Sequence, residues 1–326
     1  MSIIRWGIIG CGDVCERKSG PAFQKARNSE LVAVMRRDAQ KARDYATRHG
    51  VPRWYDNADD LINDPHVDAV YVATPPASHA QYTLKAAHAG KPVYVEKPMA
   101  CSFEQCQKMI EECRRCATPL FVAYYRRGLP VFVKVKQLLE NDSIGDIRLV
   151  QAMLWHAPRQ GDRNPADHHW HVLPAISGGG YLFDVGSHVL DILDFFFGAV
   201  THVEAICDNQ AGWYEPEDIC AAALKFETGV TGAVSFCFTI NEVSRTDRIE
   251  IVGENGTITF SCFDNDPIQL TTPAGREQFA FDRPEHVQQP LVQSIVDELR
   301  GRGKCPSTGV SGARTSWVMD KMVGRG

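Results

Sequence analysis

Through the first 123 residues, short apolar runs rich in β-branched side chains alternate with longer amphipathic stretches. Residues 3–9, 30–35, 67–73, 92–95 and 120–123 are almost continuously apolar, the pattern of strands covered on both faces. Between them, 13–26, 39–49, 78–89 and 103–116 carry apolar residues at helical spacing. Gly90 stands where a C-cap would end the third of these helices. Strand–helix alternation of this kind predicts a doubly wound α/β domain with a parallel sheet. After Ala123 the rhythm changes. A helix is predicted over 130–139, a strand over 147–155, and a helix from the glycines at 178–180 to about Phe197. Six extended segments follow without long helices between them: 202–208, 219–226, 231–240, 248–252, 257–260 and 268–272. Two helical stretches, 287–300 and 312–323, close the chain. This second pattern predicts an α+β domain on a mostly antiparallel sheet. The expected division is 1–123 and 124–326.

A length of 326 residues suits two domains. With 44% hydrophobic and 23% charged residues, the core is ample without disulfides or metals. No apolar run approaches the roughly 20 residues that cross a bilayer. The N-terminal strand runs straight into glycines, without a signal-peptide pattern. A net charge of −5 argues against nucleic acid or an acidic membrane surface as partner. Eleven scattered cysteines in such a chain read as reduced thiols of a cytoplasmic protein. The one C-x-x-C, Cys113 with Cys116, lacks the second pair that a zinc site of this type needs, so no metal is expected.

Three constellations carry chemistry. The first is Gly10-Cys11-Gly12-Asp13-Val14-Cys15, which follows a strand and opens a helix. That is the required context of a dinucleotide-binding turn. Gly10 permits the tight turn, Gly12 lets a pyrophosphate approach the backbone, and the helix N-terminus supplies amide donors. Cys15 takes the third glycine's place and is still small. At the end of the second strand, Arg36 and Arg37 stand where NAD sites carry an acid, with Lys41 a helical turn later. A guanidinium can hold a ribose 2′-phosphate, so NADP is favoured, while Asp38 keeps NAD open. The second constellation lies beyond the ends of later strands, where open α/β sheets bind ligands. It comprises Thr74-Pro75-Pro76 with His79, and Glu96-Lys97-Pro98. Lys97 beside a nicotinamide could exchange a substrate hydroxyl proton, and its bond to Pro98 could be cis. The third is Gly178-Gly179-Gly180 followed by Asp184 and His188. On an α-helix these two share a face, and the carboxylate would orient the imidazole as a proton acceptor. The nearby His168-His169-Trp170-His171 run has no diagnostic metal spacing.

Taken together, the glycine turn, Glu96-Lys97-Pro98 and the Gly178–His188 segment resemble the glucose–fructose oxidoreductase, inositol dehydrogenase and rhizopine-catabolism (Gfo/Idh/MocA) family over nearly the whole chain. The resemblance implies a Rossmann domain, then an α+β domain with a large open sheet that often forms an oligomer interface, here a homodimer or homotetramer. It implies hydride transfer between NAD(P) and a small sugar, cyclitol, diol or related alcohol or ketone. By motif, Lys97 and His188 correspond to the catalytic lysine and histidine, and Asp184 to the neighbouring site carboxylate. Tyr124 and Arg126 match a segment bordering the nicotinamide. Trp170-His171 matches a Trp-Arg pair that touches the cofactor, with histidine replacing arginine. Pro76 replaces the asparagine of a Thr-Pro-Asn turn. The family also contains glycoside hydrolases that use bound NAD and non-catalytic dinucleotide sensors, which stand as the alternatives.

Overall fold

The computed structural model describes residues 3–325. The chain divides into two compact units, Met1–Leu129 with Pro284–Ala313, and Pro130–Arg283 with Arg314–Gly326. The sequence suggested a single boundary near Ala123. Instead, the segment Pro284–Ala313 belongs to the first unit. Side chains far apart in sequence tie it there. Tyr94 donates to Gln288 Oε1 (2.8 Å), and Ser307 Oγ donates to the Val122 carbonyl (2.7 Å).

The first unit runs β1 (Ile4–Ile9), α1 (Asp13–Arg17), α2 (Gly20–Lys25), β2 (Ser29–Met35), α3 (Ala39–His49), β3 (Arg53–Tyr55), α4 (Ala58–Asn63), β4 (Ala69–Val72), α5 (His79–His88), β5 (Val93–Val95), α6 (Phe103–Arg115) and β6 (Leu120–Val122). Its sheet is parallel in the order β3-β2-β1-β4-β5-β6, the doubly wound arrangement. The predicted helix over 13–26 is two short helices. Gly20 explains the break: a Cβ there would lie 2.1 Å from the Tyr45 hydroxyl and 2.3 Å from the Cys15 carbonyl. Pro21 follows in the first turn of α2, where its missing N–H costs nothing. The strand β3 and helix α4 escaped sequence reading. Each is too short to show a period, and β3 is a half-buried edge strand.

The second unit opens with α7 (Pro130–Glu140), β7 (Ile147–Trp155) and the single turn α8 (Pro174–Ser177). A π turn (Leu182–Gly186) leads into α9 (Ser187–Phe197). Then come β8 (Val200–Asp208), β9 (Ile219–Phe226), β10 (Thr231–Cys237), β11 (Thr246–Gly253), β12 (Thr257–Phe260), β13 (Ile268–Thr272) and β14 (Gly275–Phe279). These form one eight-stranded sheet, β14-β13-β12-β11-β7-β10-β9-β8, in which only β7 and β10 pair in parallel. One face is buried under helices, with Phe132 and Phe196 against Phe260 (6.2 and 5.9 Å between ring centres) and Phe197 against Phe226 (5.3 Å). The other face carries Gln151, Glu204, Ala221, Ala223 and Ile206, the last 80% exposed. The last two helices are α10 (Gln289–Leu299) in the first unit and α11 (Gly309–Met322), whose residues divide between the units.

The expectation that all cysteines are free thiols is corrected here. Cys207 and Cys220 form a disulfide, while the other nine are free. The two stand directly opposite on β8 and β9, a register that cysteine counting cannot reveal.

Candidate active site

In the first unit, the candidate cofactor residues gather at the carboxyl ends of β1, β2, β4 and β5. Gly10 has φ +90°, and a Cβ on it would press on Thr74 Cγ2 at 2.7 Å. Glycine is therefore required both for the turn and for the approach of the Thr74 loop. The amides of Gly10 and Cys11 both donate to the Met35 carbonyl (2.9 and 3.2 Å), which fastens the turn to β2. A Cβ on Gly12 would meet nothing nearer than the Gly10 carbonyl at 3.9 Å, so the backbone is open there. Asp13 is exposed and Val14 half-buried at the start of α1. Cys15, at the third glycine's place, is fully buried. Burial pushes its thiol up, and pushes that of Cys11 up to about 11. Both stay protonated and act as packing residues.

At the end of β2, half-buried Arg36 reaches back to the Cys11 carbonyl (Nη1 to O 3.5 Å), and Arg37 is exposed. Asp38 is engaged locally. It caps α3 by accepting from the Lys41 amide (3.1 Å), and it pairs with the Lys41 ammonium at 3.6 Å. The amide bond, followed by the Lys41 charge, holds its carboxyl below the usual range.

The loops after β4 and β5 are pinned to each other. His79 is fully buried, with Nε2 2.6 Å from the Thr74 carbonyl and Nδ1 3.0 Å from the Pro98 carbonyl. Burial lowers its pKa. Ser78 Oγ donates to Thr74 Oγ1 (2.8 Å), and Pro76 is buried behind exposed Pro75. Glu96 is also buried. Its Oε1 accepts from Tyr71 and Gln288, both at 2.6 Å, and its Oε2 from the Lys97 amide at 3.0 Å. His79 and Glu96, expected among the cofactor contacts, thus fix the loops that carry Thr74 and Lys97. Lys97 is half-buried, and its peptide bond to Pro98 is cis. Tyr124 and Arg126 follow β6 and are buried, the Arg126 guanidinium lying 4.9 Å from the Tyr125 ring centre.

In the second unit, glycines shape the segment that bears Asp184 and His188. Gly178 is left-handed (φ +84°), and a Cβ on Gly179 would sit 2.1 Å from the Phe183 ring. The predicted uninterrupted helix is a π turn carrying Asp184, then α9 carrying His188. The α-helical one-turn argument for this pair therefore does not apply; π turns recur at functional sites. His188 is buried with its ring edge-on to Phe263 (5.8 Å), and His156 stands against the same ring (6.2 Å). Burial lowers the His156 pKa.

Asp184 is met by residues from the loop after β7. Arg159 Nη2 donates to its Oδ2 (3.0 Å), and His171 Nε2 lies 3.6 Å from the same oxygen. His171 stacks on Trp170 (3.8 Å) and on His169. Arg159, Asp162, Tyr181 and His156 were not singled out from sequence. No motif marks Arg159, Asp162 or His156, and Tyr181 lies in the Gly178–His188 segment without a pattern of its own. Among the described residues, the one group of three metal-type ligands, His88, Glu112 and Cys116, lies in the first unit rather than at the histidines around Trp170.

A model described as an oxidoreductase family with an NAD-binding Rossmann fold matches residues 4–124, and a GFO/IDH/MocA C-terminal domain model matches residues 132–259. The chain is 38% identical over 325 residues to oxidoreductase P35 of Formosa agariphila, covering 99% of each chain. It is 26% identical over 323 residues to 1,5-anhydro-D-fructose reductase of Ensifer adhaerens, covering 94% of this chain and 92% of the relative. In fold it is similar to aldose-aldose oxidoreductase from Caulobacter crescentus, solved with glycerol, with TM-score 0.87, 23% identity, and coverage of 98% of this chain and 96% of that one.

Proposed function

The chain belongs to the Gfo/Idh/MocA oxidoreductase family, and from that membership we propose an enzyme that moves hydride between NADP, in preference to NAD, and a sugar, cyclitol, diol or related secondary alcohol or its ketone. The observation that carries this reading is the convergence at the strand ends of the first unit. There the open backbone at Gly12, the Arg36 guanidinium, the Thr74 loop and the Lys97 loop occupy neighbouring carboxyl ends. The cradle suits a dinucleotide: Gly12 admits a pyrophosphate to the backbone, and Thr74, Pro75 and Pro76 border it. Preference for NADP rests on Arg36 and Arg37, since Asp38 is already spent on capping α3 and pairing with Lys41. The bound nicotinamide supplies the hydride chemistry. Lys97 polarises the reacting oxygen. His188 takes or returns the hydroxyl proton, and Asp184 orients His188 or holds a neighbouring hydroxyl.

The substrate class is supported by the sugar-type substrates in the names of similar proteins. The open face of the eight-stranded sheet, with exposed Ile206 and Leu149, is the surface we assign to self-association as a dimer or tetramer. Sedimentation at several concentrations tests that assignment, and a strictly monomeric active enzyme would remove it. Among the described residues, no helix is long and apolar enough to cross a membrane.

The experiment for the activity is a panel of sugars, inositols, diols and their ketones with NADP and NADPH, read at nicotinamide absorbance. The expected result is turnover with at least one member. Glycoside release without net nicotinamide change would replace the oxidoreductase reading with a hydrolase.

A further inference from the structure

We propose that Arg159 is a positioning residue that fixes the Asp184 carboxylate, ionised and in one orientation, for proton handling at His188. This rests on the reading of Asp184 as the site carboxylate. The Asp184 side chain is only 14% exposed, so its charge needs a partner. Arg159 Nη2 donates to Oδ2 at 3.0 Å. His171 lies farther from the same oxygen, 3.6 Å, and is charged only when protonated. Arg159 thus supplies a permanent positive charge at this carboxylate.

An arginine that is 45% exposed would ordinarily be too mobile to orient anything. Here it is held at both ends. Its guanidinium carbon lies 4.3 Å from the centre of the Tyr181 ring, a stacked cation–π contact. Its backbone amide donates to Asp162 Oδ2 (2.6 Å). Asp162 is itself buried and accepts the Tyr181 hydroxyl on its other oxygen (2.5 Å), while His168 Nε2 meets its carbonyl oxygen (3.1 Å). Burial and the bond to Asp162 push the Tyr181 phenol up, so it remains a neutral donor. One tyrosine thus supports the guanidinium with its ring and the loop carboxylate with its hydroxyl. Tyr181 stands three residues before Asp184, so the brace and the braced carboxylate share the segment that leads into the π turn. The charged and titratable groups of this cluster include Arg159 and His171, which meet Asp184, and Asp162, His168 and Tyr181, which brace Arg159.

The test compares the intact protein with Arg159→Met, Arg159→Lys and Asp184→Asn. Each is followed by steady-state kinetics on the best substrate of the panel and by carbon NMR titration of aspartate carboxyls. The Asp184 signal is identified by its loss in Asp184→Asn. NADPH titration serves as the folding control, since Arg159 is not among the residues assigned to the cofactor. Arg159→Met is expected to lower kcat roughly 10- to 100-fold, less than the roughly 100- to 10,000-fold of a general acid or base itself because Arg159 acts through Asp184, with little change in NADPH affinity. It should also move the Asp184 titration and the acid limb of the rate profile to higher pH. Arg159→Lys should recover part of both. If Arg159→Met keeps normal kcat and an unmoved Asp184 titration while Asp184→Asn is impaired, the positioning role of Arg159 is overturned and the site assignment survives. If Asp184→Asn itself turns over normally, the site assignment fails and this inference fails with it.

Discussion

In the first unit, the candidate cofactor residues stand at successive ends of parallel strands, and each is declared by its neighbours in sequence. In the second, the candidate carboxylate is met by a guanidinium 25 residues upstream, and the histidine packs against Phe263, which lies in a turn after β12. The first arrangement is built from backbone: a left-handed glycine, an open amide turn, loops fixed by buried His79 and Glu96. The second is built from side chains on segments that only tertiary folding brings together. A common phosphate-bearing cofactor can be held by the former. Substrate choice and the proton exchange proposed for His188 suit the latter, where side chains can differ without disturbing the scaffold.

This contrast predicts that damage to the two regions has different consequences. The largest effect is expected at the proton-handling groups. Lys97→Ala and His188→Ala should each lower turnover by roughly two to four powers of ten. The double variant should fall less than the product of the two, because groups serving one proton transfer act as a unit. Steady-state assays on the panel's best substrate measure this, and near-normal rates in either variant would make that residue structural.

Next comes the scaffold itself. Gly10→Ala should cost about 2–4 kcal/mol of stability, the sum of left-handed strain and overlap with Thr74. Denaturant melts read this directly, and NADPH binding should weaken with it. An unchanged midpoint would show that the turn can relax. The smallest effect concerns cofactor choice. Replacing Arg36 and Arg37 with alanine should lose about 1–3 kcal/mol of NADPH binding and much less of NADH. Asp38→Ala should lower the melting temperature slightly through the lost cap and leave NADH affinity unchanged. Equal affinity of the unaltered protein for NADPH and NADH would remove the argument from the arginines.

The same contrast explains what could be read from sequence. The strand–helix alternation of the first unit, the run of extended segments in the second and the glycine turn are local patterns, and strands such as β9 and β12 fall where expected. The two short helices at Asp13–Lys25 were fused in the sequence reading, because nothing local shows that Tyr45 and Cys15 crowd Gly20. The disulfide between Cys207 and Cys220 depends on strand register. The π turn under Asp184 arises where Gly179 and Gly180 let Phe183 and Pro216 approach closely, which a helical period cannot report. Lys97, Asp184 and His188 were named from motifs. The guanidinium that meets Asp184 was not, since a lone Arg159 in a loop has no periodicity and no partner within reach in sequence.

We propose a division of labour: the phosphate contacts that set cofactor affinity belong to the first unit, and the proton exchange at His188 belongs to the second. Its most direct test is a crossed measurement on two variants, Arg36→Ala/Arg37→Ala and His188→Ala. For each, NADPH affinity is measured by fluorescence, and the single-turnover rate of nicotinamide oxidation by the panel's best carbonyl substrate is measured at saturating NADPH. The first variant should bind NADPH more weakly with a near-normal saturated rate, and the second should bind near-normally with a rate lower by at least roughly a hundredfold. Two variants that change binding and rate in the same proportion would contradict this division.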